Sequence, residues 1–94
     1  MDSHAPQVMN ALWMFDRAAV ANGAIPVKYK ELVAVAVGLT TQRPYCIDIH
    51  SGNARQAGAT DAEIVESATV AVSLRAGAAV TDATRALANQ IGAA

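Results

Sequence analysis

The sequence predicts an all-α single domain of about five helices spanning residues 1–94. Three observations carry this. Apolar residues recur at helical spacing in most segments, helix start and stop signals bracket them, and the one stretch that could be a strand has no convincing partner strand. Hydrophobic residues make up 53% of the chain but aromatics only 4%. The apolar content is therefore mostly Ala and Val, side chains that let helices approach closely but bury little area each. A chain of 94 residues supports one modest core, with roughly 65% of the unfolded surface buried by interpolation between smaller and larger domains. Such a core predicts stabilisation by association into a homo-oligomer.

The first helix is expected from Ala5 to Ala21. Ser3 is the candidate cap and Pro6 a first-turn proline, and Val8, Met9, Leu12, Trp13 and Phe15 cluster on a broad face. Those large side chains, with Met14, are read as core or oligomer interface rather than a cofactor box. Residues 21–26 form a loop in which Gly23 suits a positive φ and Pro26 turns Ile25 away from helix.

The next segment, "VKYKELVAVAVGLTT", fits a buried strand or a buried helix by its apolar run alone. Lys28, Lys30 and Glu31 make a polar first turn and favour helix, and the unbroken apolar character implies burial on most faces. Glu31 opens this helix either as a solvated end or as a carboxylate paired inside.

After "TQRP", the stretch "YCIDIHSGNARQAG" reads as a helix of about three turns, with Pro44 at its start and Gly58 as its C-terminal stop. Thr60-Asp61-Ala62-Glu63 is a capping-box sequence. It opens a helix running to about Ala76, which Gly77 ends or weakens. Thr81 and Asp82 then start a last helix, Ala83 to Gln90, with Leu87 and Ile91 on its apolar side. No repeat of fixed period is present.

Net charge is −1, without basic or acidic blocks. That argues against nucleic acid as a partner, and the absence of an 18-residue uninterrupted apolar run argues against a membrane span. The opening "MDSHAPQ" lacks signal-peptide features. A cytoplasmic location is expected, with small molecules or copies of the chain as partners. The single cysteine, Cys46, cannot form an intrachain disulfide or supply a cysteine cluster for zinc. No metal or cofactor is expected.

Cys46 and His50 stand four apart and share one helix face. Cys46 also lies in the first turn after Pro44, where unpaired N–H groups and the helix dipole favour a thiolate. His50 is placed to accept the thiol proton, the arrangement of an activated nucleophile. The alternative is a cysteine buried as a small hydrophobe. Arg43 adds a positive charge that lowers the thiol pKa or holds an anionic substrate group. Tyr45, beside it, is a second candidate substrate contact. Asp48 is read as a first-turn carboxylate on another face, and His4 carries little functional weight.

With these residues placed, the chain resembles the alkylhydroperoxidase D and carboxymuconolactone decarboxylase family of small all-α proteins. The resemblance covers about residues 30–76, through "ELVAVAVGLTTQRPYCIDIHSGNARQAGATDAEIVESATVAV". It consists of a Glu-containing helix, a Cys-x-x-Cys-x-x-x-His helix, "AR-x-AGA" and a further helix. Glu31 and Cys46 have the family's fifteen-residue separation. The resemblance implies that Cys46 occupies the place of the second, peroxide-reactive cysteine, with His50 and Glu31 as the motif histidine and glutamate in a proton relay. It also implies a trimer or hexamer with sites near subunit interfaces.

Arg43 departs from the pattern, standing where the family has its first cysteine. With no resolving thiol, a sulfenic acid on Cys46 needs an external thiol to restore it. Two activities are therefore expected. One is thiol-dependent reduction of a small hydroperoxide through Cys46. The other is binding or proton-transfer chemistry on a small carboxylate or lactone held by Arg43, as in the decarboxylase branch.

Overall fold

The structure, a computed structural model, describes residues 3–89. It is all helical, with α1 at Pro6–Val20, α2 at Val27–Thr40, α3 at Pro44–Gln56 and α4 at Asp61–Ala88. α2 is the central element, packed against α3 and α4 and only lightly touched by α1. The ambiguous "LVAVAVGL" run is therefore helix.

Among the described residues four helices replace the expected five, because α4 does not stop at Gly77. One glycine costs a helix about 1 kcal/mol relative to alanine, which a long Ala-rich helix tolerates. Thr81 is not a cap: its hydroxyl donates to the Gly77 carbonyl at 3.1 Å, and Thr84 does the same to Val80 at 3.0 Å. Both are the local bonds of Ser and Thr inside a helix. Leu87 is strongly exposed; Gln90 and Ile91 lie outside the described residues. By length and composition α4 could cross a membrane, although it lacks an uninterrupted apolar run. Its N-terminal half packs on α2, and near its middle Arg75 donates to the Thr40 carbonyl at the end of α2.

The start of α1 also differs from expectation. Ala5, not Ser3, occupies the cap position, with no side-chain capping bond, while Pro6 sits at the first turn. Ser3 instead hydrogen-bonds the His4 Nδ1 at 3.0 Å. No residue of α1 is buried. Val8, Leu12, Trp13, Met14 and Phe15 are half or more exposed, so they do not form the core of this chain.

The loop between α1 and α2 is tied down by side chains. Pro26, the cap residue of α2, makes no side-chain capping bond. Asn22 Oδ1 takes that role and accepts the Val27 N–H at 2.7 Å, while Lys30 Nζ donates to the Ala21 carbonyl at 2.7 Å. Gly23 does not enter the left-handed region.

The core is small: Leu32, Val35, Ala54 and Ala71 are its buried apolar members. α2 is not enclosed on most faces, since Val33 and Val37 remain more than half exposed.

Two helix ends close with the same motif. At α3, the Ala59 N–H reaches Ala54 O at 2.9 Å and the Gly58 N–H reaches Arg55 O at 3.0 Å, with Gly58 at φ +98. At α2, the Arg43 N–H reaches Gly38 O at 2.9 Å and the Gln42 N–H reaches Leu39 O at 3.3 Å. These are Schellman turns. In the second, the left-handed position is held by Gln42 at φ +56 rather than by glycine.

The expected capping box opens α4. Glu63 N–H donates to Thr60 Oγ1 at 3.1 Å, and Thr60 N–H donates to Glu63 Oε1 at 2.9 Å. Glu63 also pairs with Lys28 at 3.0 Å, joining the first turns of α2 and α4. The Thr60 N–H, then Lys28, hold the Glu63 carboxyl below its ordinary pKa, and Glu63 raises that of Lys28.

Candidate active site

Glu31 sits in the second turn of α2 and is only 4% exposed. It is paired inside the fold, not solvated at an end. A carboxylate removed from water needs a strong partner, and Glu31 Oε2 lies 2.6 Å from Nδ1 of His50 on α3. With the carboxylate ionised, Nδ1–H donates and Nε2 is left with its lone pair, the tautomer of a general base. No buried side-chain polar atom among the described residues lacks a partner.

Cys46 is one turn before His50, at the third position of α3. The first backbone bond of this turn is Ile47 N–H to Arg43 O at 3.1 Å. The Tyr45 and Cys46 N–H groups therefore precede the helical ladder, at its positive end. Cys46 is partly exposed with a free thiol, and the buried-hydrophobe alternative does not describe it.

Gly38 explains how α3 comes so close to α2. A Cβ there would lie 3.3 Å from Ile47 Cγ1 and 3.5 Å from Cys46 Cβ. The missing side chain lets the first turn of α3 rest on α2, which places His50 over Glu31. A glycine inside an apolar helix is the sequence signal for such an approach, and reading "LVAVAVGL" only as an apolar run overlooks it.

Arg43 is the cap residue of α3, fixed by its backbone bond to Gly38. Its exposed guanidinium has no hydrogen-bond or ion-pair partner among the described residues. Tyr45 is 77% exposed at the rim. Asp48 is not in the first turn; it is the fifth residue of α3 and exposed.

Cys46, His50 and Arg43 line two grooves at once. One, of about 460 Å³, has aliphatic walls that include Val20, Ile25, Val33 and Val37, with Lys30 at its edge. The other, of about 500 Å³, lies between α1 and α3 and adds Trp13, Asp16, Tyr45 and Asn53. Lys30, Trp13, Asp16 and Asn53 carry no motif and reach the site only through the placement of the helices. Chemically, the arrangement can supply a nucleophile, a base and a group that orients the base.

Comparison with known proteins places the fold and the family of the chain. The profile of the carboxymuconolactone decarboxylase family matches residues 6–89. The chain is 43% identical over 79 residues to "Uncharacterized protein 4 in cox locus" of Paracoccus denitrificans, covering 84% of this chain and 71% of that one. A crystal structure of a protein from Methanobacterium thermoautotrophicum superposes with a TM-score of 0.81 at 30% identity, covering 88% of this chain and 93% of the other.

Proposed function

Because the chain belongs to the carboxymuconolactone decarboxylase family, which includes decarboxylases and alkylhydroperoxidase D-like enzymes, we propose that it is a thiol-dependent hydroperoxide reductase acting through Cys46. The observation that carries this reading is the buried Glu31–His50 bond at 2.6 Å, which orients the imidazole one turn from the thiol. His50 takes the Cys46 proton. The thiolate attacks the terminal peroxide oxygen, the O–O bond breaks, and His50 returns the proton to the departing alkoxide. Sulfur is oxidised to sulfenic acid and the peroxide is reduced to an alcohol. An external thiol restores Cys46, since Arg43 occupies the resolving position. The aliphatic groove favours an organic hydroperoxide over hydrogen peroxide.

The proposal extends to a cytoplasmic location and to a homo-oligomer, a trimer or a hexamer; the exposed apolar side chains of α1 and α4 support the association. The catalytic test is thiol-dependent consumption of an organic hydroperoxide. Cys46→Ser is expected to reduce it to background, and Arg43→Cys to raise it severalfold by supplying a resolving thiol. Absence of thiol-dependent turnover in the wild type would remove the reading.

The unpaired Arg43 guanidinium favours a second reading, a small carboxylate or lactone processed without redox chemistry. Turnover of such a compound that persists in Cys46→Ser would select it.

A further inference from the structure

We infer that the thiol that regenerates Cys46 is a small zwitterion, carrying both a carboxylate and an ammonium group, and that it docks in the groove between α1 and α3. The inference rests on the reading of Cys46 as a peroxide-reducing thiol. Two grooves share Arg43, Cys46 and His50 but differ in the rest of their lining, Asp16 belonging to only one of them. The aliphatic groove suits the oxidant, so the reductant has its own approach from the other side.

That other side carries opposite charges. Arg43 and Asp16 both line it, both are exposed, and neither has an ion-pair or hydrogen-bond partner among the described residues. They do not pair with each other. Of the other charged groups there, Glu31 and His50 are engaged with one another. A free cation and a free anion flanking one nucleophile match an amino-acid-type thiol, with its carboxylate on the Arg43 fork and its ammonium on Asp16. Leu12, Trp13, Val20, Tyr45, Ile49 and Asn53 supply the remaining walls. A groove of about 500 Å³ lies within the range of roughly 300–1,000 Å³ for small-molecule sites.

The chemistry balances. The incoming thiolate attacks Cys46 Sγ, an S–S bond forms, the S–O bond breaks, and the hydroxide leaves with a proton as water. A second molecule of the thiol attacks the mixed disulfide, releasing the symmetric disulfide and the Cys46 thiolate. One hydroperoxide and two thiols thus give one alcohol, one water and one disulfide.

The groove can be tested apart from the peroxidase reaction, because Cys46 also exchanges with symmetric disulfides. The rate of mixed-disulfide formation on the full chain is measured by mass spectrometry. The probes are glutathione disulfide and cystine (zwitterionic), cystamine (cationic), dithiodipropionate (anionic) and hydroxyethyl disulfide (neutral), each normalised to its rate with a free small thiol. The zwitterionic probes are expected to react about tenfold faster than the others, the equivalent of one charge-assisted contact. Asp16→Asn is expected to bring glutathione disulfide down to the level of dithiodipropionate. Equal normalised rates for all probes would overturn the inference. Failure of the peroxidase reading is registered separately, as no dimedone-trapped sulfenic acid on Cys46 after organic hydroperoxide.

Discussion

Glu31 shows what a single residue contributes and how far sequence could anticipate it. Its place at the head of an apolar helix allowed a solvated end or a buried pair, and nothing local decided between them. The partner, His50, is nineteen residues away on another helix. The family pattern joined the two residues, and the fold supplies the physical reason, a glycine that lets α3 approach. Asp16 and Trp13 were beyond reach because their nearness to Cys46 depends on how α1 crosses α3, which no spacing encodes. In the proposed reaction Glu31 acts through His50 as a positioning residue. Glu31→Gln keeps the shape and removes the charge, and is expected to slow the reaction of Cys46 with organic hydroperoxide by roughly 10- to 100-fold, by analogy with the carboxylates that orient metal-bound histidines. The pH–rate profile should shift as well, which a packing role would not cause. An unchanged rate and profile would detach Glu31 from the chemistry.

Among the elements, the starts of α2, α3 and α4 were legible because each carries a local signal: a polar turn, a proline, a capping box. The ends were harder. Gly58 at φ +98 marks a stop that composition announces, whereas α2 ends on a Schellman turn whose left-handed residue is Gln42, a type that gives no warning. Conversely, Gly77 resembles a stop and is not one, since nothing beyond it offers the backbone a better arrangement than continued helix. Gln42 is also a point of strain. The left-handed region costs an L-residue about 1–2 kcal/mol, and glycine returns part of that gain through its freer unfolded state. Gln42→Gly is therefore expected to stabilise the fold by about 0.5–1 kcal/mol, or several degrees in melting temperature. A lower melting temperature would show that the Gln42 side chain contributes more than its backbone loses.

At the scale of the whole molecule, one chain is more open than a compact domain of its length. Its radius of gyration is 18.1 Å, against about 12 Å for a compact domain of this length. Its accessible surface is 7193 Å², against about 5,100 Å² expected for a compact monomer of this mass. The difference, about 2,000 Å², is the area of a substantial protein–protein interface. The apolar side chains that would fill it are Phe15, Met14 and Val8 on α1, and Val72, Val80 and Leu87 on α4. The small-residue composition is the ground for expecting association, but it does not say which helices are left uncovered. Light scattering on a sizing column should give a mass that is a multiple of 9.7 kDa, and Val80→Glu should lower it. A wild-type mass of one chain at micromolar concentration would contradict the reading, and apolar surface that instead drives the chain onto lipid vesicles would identify α4 as a membrane element.

Arg75 gives this openness a mechanical side. It joins α4 to the last carbonyl of α2, three residues before Arg43. Beyond that clasp α4 extends as an arm with no buried residue. The arm meets the rest of the fold beside the turn from which the free guanidinium hangs, so in the proposed oligomer a load on its far end would be felt near the mouth of both grooves. If the chain assembles as proposed, assembly does more than shelter apolar surface: it bears on the aim of Arg43.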